Sequence, residues 1–384
     1  MKSKKNTMKK SFTIIAAILA VILCSCGPKN SNLDKTESGN YIIAYVFPGN
    51  RIMDASEVDG SLLTHINYAF ANIIDGRMVE GYPNDSLNFA VLRQIREKNP
   101  SLQLLVSVGG WGWSGGFSDM ALTPQSRAVF INSAVEFLKR HNLDGLDLDW
   151  EYPGLPGNNN IHRPEDKQNF TALLRECRQA LDKLGGGKKH YLLTIAAASF
   201  QGFLDNTQMD VVADYLDFIN IMTYDFVGEW GNTTGHHTNL LMPAFNPQAM
   251  STASSVELFN SIGIDNNKLL IGVAFYGRGW YDVNPANNGL GQPGIGMTSV
   301  NLNYYSIVNN YLNNPAYQQL WDNNAKAPYL WNPTERVFIT YENPRSIGYK
   351  ARFVKEKGLR GIMFWQYFGD HQKQLLKSMA EELN

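Results

Sequence analysis

The chain has 384 residues, of which 44% are hydrophobic and 18% are charged, and this composition excludes a disordered protein and predicts a sizeable buried core. The formal net charge is −1, but five of the 34 basic residues lie in the first ten positions, and without them the ratio of basic to acidic residues is 29 to 35, a charge of −6. A mildly acidic body without a basic cluster argues against binding to a nucleic-acid backbone, which requires clustered Lys and Arg side chains.

The N-terminus has the parts of a secretory signal in the usual order. A lysine-rich start is followed by the apolar run 12–23, which overlaps the short sequence LCSC at 23–26. The apolar run is shorter than the roughly 20 residues of a membrane-spanning helix, so we predict a signal peptide. LCSC resembles a bacterial lipobox, which predicts a signal peptide at 1–25, a lipid anchor on Cys26 and a flexible tether at 26–40. The expected location is the bacterial cell envelope, at the outer membrane or cell surface, with a secreted protein as the alternative.

From Tyr41 onward, short apolar runs alternate with helical stretches, a pattern typical of βα units around a parallel sheet. Helix candidates between the runs include 126–141, 165–184 and 346–357. Eight strands in this pattern predict an α/β fold, a (β/α)8 barrel. The candidate strands are Tyr41–Phe47, His65–Ala71, Gln103–Val108, Gly145–Leu148, Tyr191–Ala197, Phe218–Met222, Leu269–Ala274 and Gly361–Trp365.

The gap between the seventh and eighth candidate strands is longer than one helix needs. We predict a small α+β insertion domain at 277–345, with the barrel formed by 41–276 and 346–384. The loops after the strands of such barrels build the active site, so an insertion here is expected to form a wall of the substrate cleft. Its candidate elements are a helix at 304–312 and strands at 327–331 and 336–341.

The densest chemical signal is DGLDLDWEYP at 144–153. Asp147, Asp149 and Glu151 are two residues apart, so on an extended strand their side chains lie on one face, towards the interior or rim of a barrel. Three carboxylates this close cannot all ionise cheaply; they are expected to share protons, and one pKa is expected to rise. A carboxylic acid that stays protonated near neutral pH is what a general acid requires.

A metal site is not predicted. The acidic stretch lacks the glycine and the 12-residue oxygen-rich loop of a calcium-binding EF-hand. Of the three cysteines only Cys177 lies in the body, so neither a disulfide nor a cysteine-based metal site can form there. The adjacent His236 and His237 lack spaced partner ligands, and we expect them in a solvent-exposed loop.

The stretch DGLDLDWEYP resembles the D-x-x-D-x-D-x-E signature of glycoside hydrolase family 18, the chitinase-like family, at Asp144, Asp147, Asp149 and Glu151. Further elements resemble that family in the same order: SVGGW at 107–111, MTYDF at 222–226, AFYGRGW at 274–280 and FWQY at 364–367. The resemblance covers nearly everything from Tyr41 to the C-terminus. The predicted insertion is similar to the α+β domain carried by the chitinase branch of the family.

The resemblance implies a retaining mechanism in which the 2-acetamido oxygen of the substrate attacks the anomeric carbon. Glu151 would protonate the glycosidic oxygen and later activate water. Asp149 would orient the acetamido N–H and stabilise the positively charged intermediate, and Asp147 would share a proton with Asp149. Tyr224 would form a hydrogen bond with the acetamido oxygen.

Other positions are assigned by the same resemblance. Trp365 would be the hydrophobic floor under the distorted sugar, and Met222 and Asp225 would line the pocket of the cleaved sugar. Further expected substrate contacts are Tyr45, Phe70, Trp111, Tyr152, Tyr276 and Arg278. Structural support is expected from Asp144, which is out of phase with the other three carboxylates, and from Ser107, Gly109 and Gly110.

The resemblance therefore predicts a chitinase that hydrolyses β-1,4-linked N-acetylglucosamine in chitin or its oligosaccharides. No metal and no organic cofactor is expected, because the substrate supplies the nucleophile. The expected partners are the substrate and a membrane, without nucleic acid, for a monomeric protein. Two alternatives stay open: an endo-β-N-acetylglucosaminidase that cuts the chitobiose core of N-glycans, and a non-catalytic, chitinase-like lectin.

Overall fold

A closed barrel of parallel strands organises the computed structural model, which describes residues 39–384. The strands in this part of the chain are β1 (Tyr41–Val46), β2 (His65–Ile74), β3 (Arg77–Glu80), β4 (Gln103–Gly109), β5 (Gly145–Asp149), β6 (Leu192–Ala198), β7 (Phe218–Met222), β8 (Leu269–Ala274), β9 (Arg278–Tyr281), β10 (Ile295–Gly296), β11 (Gln318–Asp322), β12 (Ala327–Asn332), β13 (Val337–Thr340) and β14 (Gly361–Trp365). Strands β1, β14, β8, β7, β6, β5, β4 and β2 pair in that order, and β1 pairs with β2 to close the barrel. This confirms the predicted (β/α)8 fold.

Helices surround the barrel. They are α1 (Asp85–Lys98), α2 (Phe117–Ala121), α3 (Pro124–His141), α4 (Asp166–Gly185), α5 (Gln201–Asp205), α6 (Met209–Val212), α7 (Thr252–Asn260), α8 (Tyr304–Ile307), α9 (Pro344–Lys357) and α10 (Gln374–Leu383). Helices α3 and α9 begin two residues before their predicted starts, because Thr123 and Asn343 cap them in capping boxes and a proline occupies the first turn of each. The predicted starting serines are the third residues of these helices.

The strand β2 extends beyond its predicted end at Ala71, because it continues into a hairpin with β3. Asp75 and Gly76 form the turn with positive φ angles of 50° and 72°, the conformation of a two-residue hairpin turn that suits Asp-Gly. The predicted boundaries of β7, β8 and β14 agree with the structure.

Side chains alternate between two apolar layers along the barrel strands. Leu146 and Leu148 of β5 pack in the layer between strands and helices. A separate cluster in the barrel interior contains Ile43, Phe218 and Met363. Since successive side chains of a strand point to opposite faces, Asp147 and Asp149 face the same interior as that cluster.

Strands β9 to β13 form a five-stranded antiparallel sheet in the order β10-β9-β13-β12-β11, with a core that includes Trp280, Trp331 and Phe338. A fully buried ion pair joins Glu342, which follows this sheet, to Lys350 of α9, and the Lys350 ammonium also donates to the backbone oxygen of Thr238. The division of the chain into a catalytic barrel and an insertion domain stays a prediction.

The predicted signal peptide, the predicted lipid anchor Cys26 and most of the predicted tether lie outside the described residues. Within residues 39–384, no helix combines the length and the hydrophobicity needed to cross a membrane.

Candidate active site

The buried carboxylate Asp147 lies at the centre of the barrel and is surrounded by neutral donors. Its oxygens accept hydrogen bonds from the hydroxyls of Tyr45 (2.9 Å), Ser107 (2.7 Å) and Thr194 (2.5 Å), and from the amide of Asn220 at 3.4 Å. Burial raises the pKa of Asp147, and these hydrogen bonds act in the opposite direction. The hydroxyl of Tyr45 therefore donates its hydrogen bond to Asp147, deeper in the barrel than Asp149 and Glu151.

Asp149 and Glu151 lie above Asp147, towards the carboxyl end of β5, and are also buried, with exposed fractions of 4% and 8%. Oδ1 of Asp149 is buried and has no hydrogen-bond donor in the described part of the chain. Burial and the charges of Glu151 and Asp147 raise the pKa of Asp149 well above its usual range. The sharing of a proton between Asp147 and Asp149 stays a prediction.

Glu151 has the electrostatics of a proton donor. Burial raises its pKa to about 7, the charge of Asp225 adds to the rise, and the hydroxyl of Tyr152 acts against it. A carboxyl group with this pKa exchanges a proton near neutral pH, which is the property that general acid–base catalysis requires.

Two glycines let the end of β4 pass close to the end of β5. Gly109 has a φ of 103°, and a Cβ atom at this position would lie 2.4 Å from the backbone oxygen of Asp149. Gly110 has a φ of 73° and donates its N–H to that same oxygen at 2.8 Å. A Cβ atom on Gly110 would lie 2.6 Å from the Phe70 ring. Both positions therefore require glycine for conformation and for space.

Tyr224 and Asp225 follow β7 and face the carboxylates. Arg278 of β9 binds Asp225 through two hydrogen bonds, from Nε (2.9 Å) and Nη2 (2.8 Å), and Nη1 donates to Glu229 at 2.7 Å. Burial opposes the charge of Asp225, but the nearby His237 imidazole and the two hydrogen bonds from Arg278 prevail and lower the pKa of Asp225 to about 2. This site therefore contains a carboxylate that is charged at every physiological pH.

The expectation that His236 and His237 are exposed is wrong. Their exposed fractions are 3% and 0%, because the segment that carries them packs against the five-stranded sheet. His236 Nε2 lies 3.1 Å from Oδ2 of Asp322, and His237 donates its backbone N–H to the Thr340 hydroxyl at 3.3 Å. The Nδ1 atom of His237 is 3.7 Å from Oδ1 of Asp225. Sequence reasoning missed this residue, since neither histidine has a spaced partner in the sequence.

Aromatic rings line the site beside the carboxylates. Trp365 stacks on Phe70 with a centroid distance of 5.4 Å, and on Phe47 at 5.8 Å. The sequence analysis did not identify Phe47 as a residue of the site. Its position directly after β1, at the carboxyl end of a barrel strand, is the signal that could have identified it. The half-buried Tyr276 contacts the Tyr224 ring edge to face at 6.2 Å.

Two tryptophans mark the exposed edge of the site. Trp111 is 53% exposed and lies 6.5 Å from the Tyr152 ring. Trp230, which was not predicted, is 65% exposed, and the Arg278 guanidinium lies 5.1 Å from its ring centroid. Met222 is half-buried at the end of β7. Substrate contacts by these side chains stay predictions.

Asp144 is not part of this group. It precedes β5 at the opposite end of the barrel and forms ion pairs with Arg96 and Lys189, both at 2.7 Å. Its Oδ2 also accepts the backbone N–H of Leu104 at 2.9 Å. The supporting role of Asp144 stays a prediction.

Comparison with known proteins gives one consistent family. The model of "Glycosyl hydrolases family 18" matches residues 36–370. Chitinase A1 of Niallia circulans is 36% identical over 452 aligned residues, which cover 99% of this chain and 64% of that protein.

Two solved structures show the same architecture. Chitinase ChiW from Paenibacillus sp. str. FPU-7, described as a bacterial cell-surface-expressed multi-modular enzyme, has a TM-score of 0.85 and 40% identity, over 90% of this chain and 43% of that one. A family 18 N-acetylglucosaminidase from Paenibacillus barengoltzii has a TM-score of 0.82 and 39% identity, over 90% of this chain and 100% of that one. The chain thus spans less than two thirds of Chitinase A1 and less than half of ChiW.

The close approach of β4 to β5 gives a first prediction. Gly109→Ala introduces a Cβ atom against the backbone oxygen of Asp149 at a positive φ, and we expect it to lower the free energy of unfolding by about 1–3 kcal/mol. Gly112→Ala is the matched control, because nothing lies within 4 Å of a Cβ atom there. Thermal unfolding followed by circular dichroism measures both; equal melting temperatures for the two variants would refute the close packing described for Gly109.

Proposed function

The chain belongs to family 18 of the glycosyl hydrolases, and from this membership we propose that it is a chitinase that hydrolyses β-1,4 linkages between N-acetylglucosamine units. The observation that carries the proposal is the row of buried carboxylates that begins on β5 and ends just beyond it at Glu151, whose pKa is raised to about 7. The substrate class comes from the relatives, two of which are named chitinases.

The first step is protonation of the glycosidic oxygen by Glu151. In its protonated form this buried carboxyl group donates the proton as the bond between the anomeric carbon and that oxygen breaks. The same group, now a carboxylate, later removes a proton from the water that attacks the anomeric carbon.

The acetamido group of the substrate supplies the nucleophile in this proposal. Its carbonyl oxygen attacks the anomeric carbon as the leaving group departs and forms a cyclic, positively charged intermediate. Asp149, whose Oδ1 has no hydrogen-bond donor in residues 39–384, accepts the acetamido N–H and stabilises the positive charge. The Tyr224 hydroxyl donates to the acetamido oxygen. Asp147, fixed by four neutral donors, supports Asp149 from below.

The aromatic side chains support a sugar substrate. Half-buried Trp365, which packs against Phe70 and Phe47, offers a flat apolar surface for the carbon-bound hydrogens of a pyranose ring. The relative described as an N-acetylglucosaminidase supports a second candidate, the release of single N-acetylglucosamine units from chain ends. Both candidates use the same carboxylates and differ in their products.

A product analysis tests this proposal. Mature protein is incubated with N-acetylglucosamine hexamer and a high-mannose glycoprotein together, and the products are identified by mass spectrometry. We expect disaccharide from the hexamer and an intact glycoprotein. Monosaccharide as the only product would favour the second candidate. Release of the glycan with the hexamer intact would identify the N-glycan, and not chitin, as the substrate.

The control Glu151→Gln keeps the shape of the side chain but not the proton donor, so hydrolysis is expected to fall by about 1,000-fold or more while hexamer binding persists. Undiminished hydrolysis by this variant would contradict the role of Glu151.

The pH dependence follows from the same group. The pKa of Glu151 is raised above its usual value, to about 7, so the protonated form required for the first step is present below that pH and is lost above it. The alkaline limb of kcat/KM, which reports the pKa values of the free enzyme, is therefore expected near pH 7. Asp225→Asn removes one charge that raises this pKa and is expected to move the limb to lower pH. A limb that stays in place would show that Asp225 does not act on the titrating group.

For the location of the protein we propose a lipid anchor on Cys26 at the bacterial cell envelope. The proposal is supported by the sequence LCSC after a lysine-rich start and an apolar run. Metabolic labelling with palmitate in a bacterial host tests it: the wild type and Cys24→Ser are expected to carry the label and to fractionate with membranes, and Cys26→Ser to lose both. Label on Cys26→Ser would exclude this cysteine as the anchor.

A further inference from the structure

The backbone of Glu151 is held by side chains on both sides of its Cα atom. Its N–H donates to the hydroxyl of Ser114 at 2.9 Å, and its carbonyl oxygen accepts from the Asn160 amide at 2.7 Å. Ser114 is fully buried and Asn160 is half-buried. Neither Ser114 nor Asn160 belongs to β5. Two other segments of the chain therefore fix Glu151, which lies just beyond the carboxyl end of β5.

Ser114 also connects this residue to the end of β4. Its hydroxyl oxygen lies 2.9 Å from the backbone oxygen of Gly110 and 3.1 Å from that of Asp149. The single hydroxyl proton can be donated to either oxygen, while the lone pairs accept the N–H of Glu151. The buried hydroxyl thus ties the peptide groups before and after Trp150 to the turn that follows β4.

Asn160 belongs to a loop that is built to close onto Glu151. A Cβ atom at Gly157 would lie 2.1 Å from the carbonyl oxygen of Glu151 and 2.8 Å from Nδ2 of Asn160. Only glycine allows the loop to approach this closely. The far end of the loop is fixed by buried Asp166, which accepts hydrogen bonds from the backbone N–H of Arg163 and from the Ser118 hydroxyl, both at 2.7 Å.

We propose that Asn160 and Ser114 are positioning residues for the proton transfer: they fix the direction of the Glu151 carboxyl group by holding the peptide groups on both sides of it. The inference rests on the proposed role of Glu151 as acid and base. The side chain of Glu151 extends from these two peptide groups, so a rotation of either one moves the carboxyl group. Proton donation requires that group to stay within hydrogen-bonding distance of the glycosidic oxygen, and misplacement by about 1 Å can cost about 100-fold in rate.

A purely structural role for the same hydrogen bonds makes a different prediction. Loss of one hydrogen bond to a partly buried carbonyl would lower the melting temperature and leave the kinetics at moderate temperature unchanged. A positioning role changes kcat in fully folded protein and leaves the Michaelis constant almost unaltered, because substrate binding uses other side chains.

The experiment compares Asn160→Ala and Asn160→Asp with Asn158→Ala in the mature chain, at a temperature well below the melting point of each variant. Asn158 lies in the same loop and is exposed. We expect kcat on N-acetylglucosamine oligosaccharides to fall by about 10-fold to 100-fold in both Asn160 variants, with the Michaelis constant within about twofold. Asn158→Ala is expected to match the wild type. Ser114→Ala is expected to lower kcat in the same way, and Ser114→Thr, which keeps the hydroxyl, to restore part of it.

The pH profile provides a readout that stability does not change. The titratable groups that face the Glu151 carboxyl are Asp149, Tyr152, Tyr224 and Asp225. A carboxyl group freed from its fixed position gains access to water. The alkaline limb of kcat/KM is therefore expected to move to lower pH in the Asn160→Ala variant. A wild-type kcat and limb in Asn160→Ala would overturn the positioning role.

Glu151→Gln, measured in parallel, separates the two proposals. If it loses hydrolysis while Asn160→Ala and Ser114→Ala retain it, only the positioning role is wrong and the proposed function stands. If Glu151→Gln retains hydrolysis, the proposed role of Glu151 as acid and base fails, and the positioning role, which rests on it, fails too. A loss of kcat in Asn160→Ala that disappears at a lower assay temperature would show a stability effect and would also overturn the inference.

Discussion

The burial of three carboxyl groups on β5 and just beyond its end is the constraint on which the rest of this structure depends. An ionised carboxylate without partners is costly in a protein interior, and two adjacent ones repel each other. The chain treats the three groups differently. Asp147 receives four neutral donors, Asp149 keeps one oxygen without a donor in the described residues, and Glu151 lies at the rim with its pKa raised to about 7. Three carboxyl groups spaced two residues apart in the sequence thus have three different environments in the structure.

These environments depend on elements that are distant in sequence. The donors to Asp147 come from β1, β4, β6 and β7, so the closure of the barrel is what assembles them. The segment after β7 is held in a similar way from outside. Buried Lys350 donates to the backbone oxygen of Thr238, and the neighbouring His237 lies against Asp225. The packing of α9 and of the five-stranded sheet therefore helps to position the carboxylate Asp225, through the consecutive residues His237 and Thr238.

The sequence predicted the barrel and the carboxylate row because both are local patterns. A strand repeats every two residues, so the spacing of Asp147, Asp149 and Glu151 determines their common face, and each barrel strand is a continuous apolar run. Contacts made by tertiary structure left no such pattern. The burial of His236 and His237 depends on a sheet that lies about a hundred residues later in the chain. Phe47 stacks on Trp365 only once β1 and β14 are neighbours.

The low pKa of Asp225 contributes to the raised pKa of Glu151. Arg278 and His237 lower the pKa of Asp225 to about 2, so its negative charge is constant over the pH range in which a protein works. A constant negative charge favours the protonated form of a nearby buried carboxyl group, and it adds to the rise in the pKa of Glu151. The guanidinium of Arg278 thus acts on the proton donor indirectly, by keeping its neighbour charged. Environments that move the pKa values of two neighbouring carboxyl groups apart assign the proton to one of them. Between Asp225 and Glu151, the protonated group is Glu151.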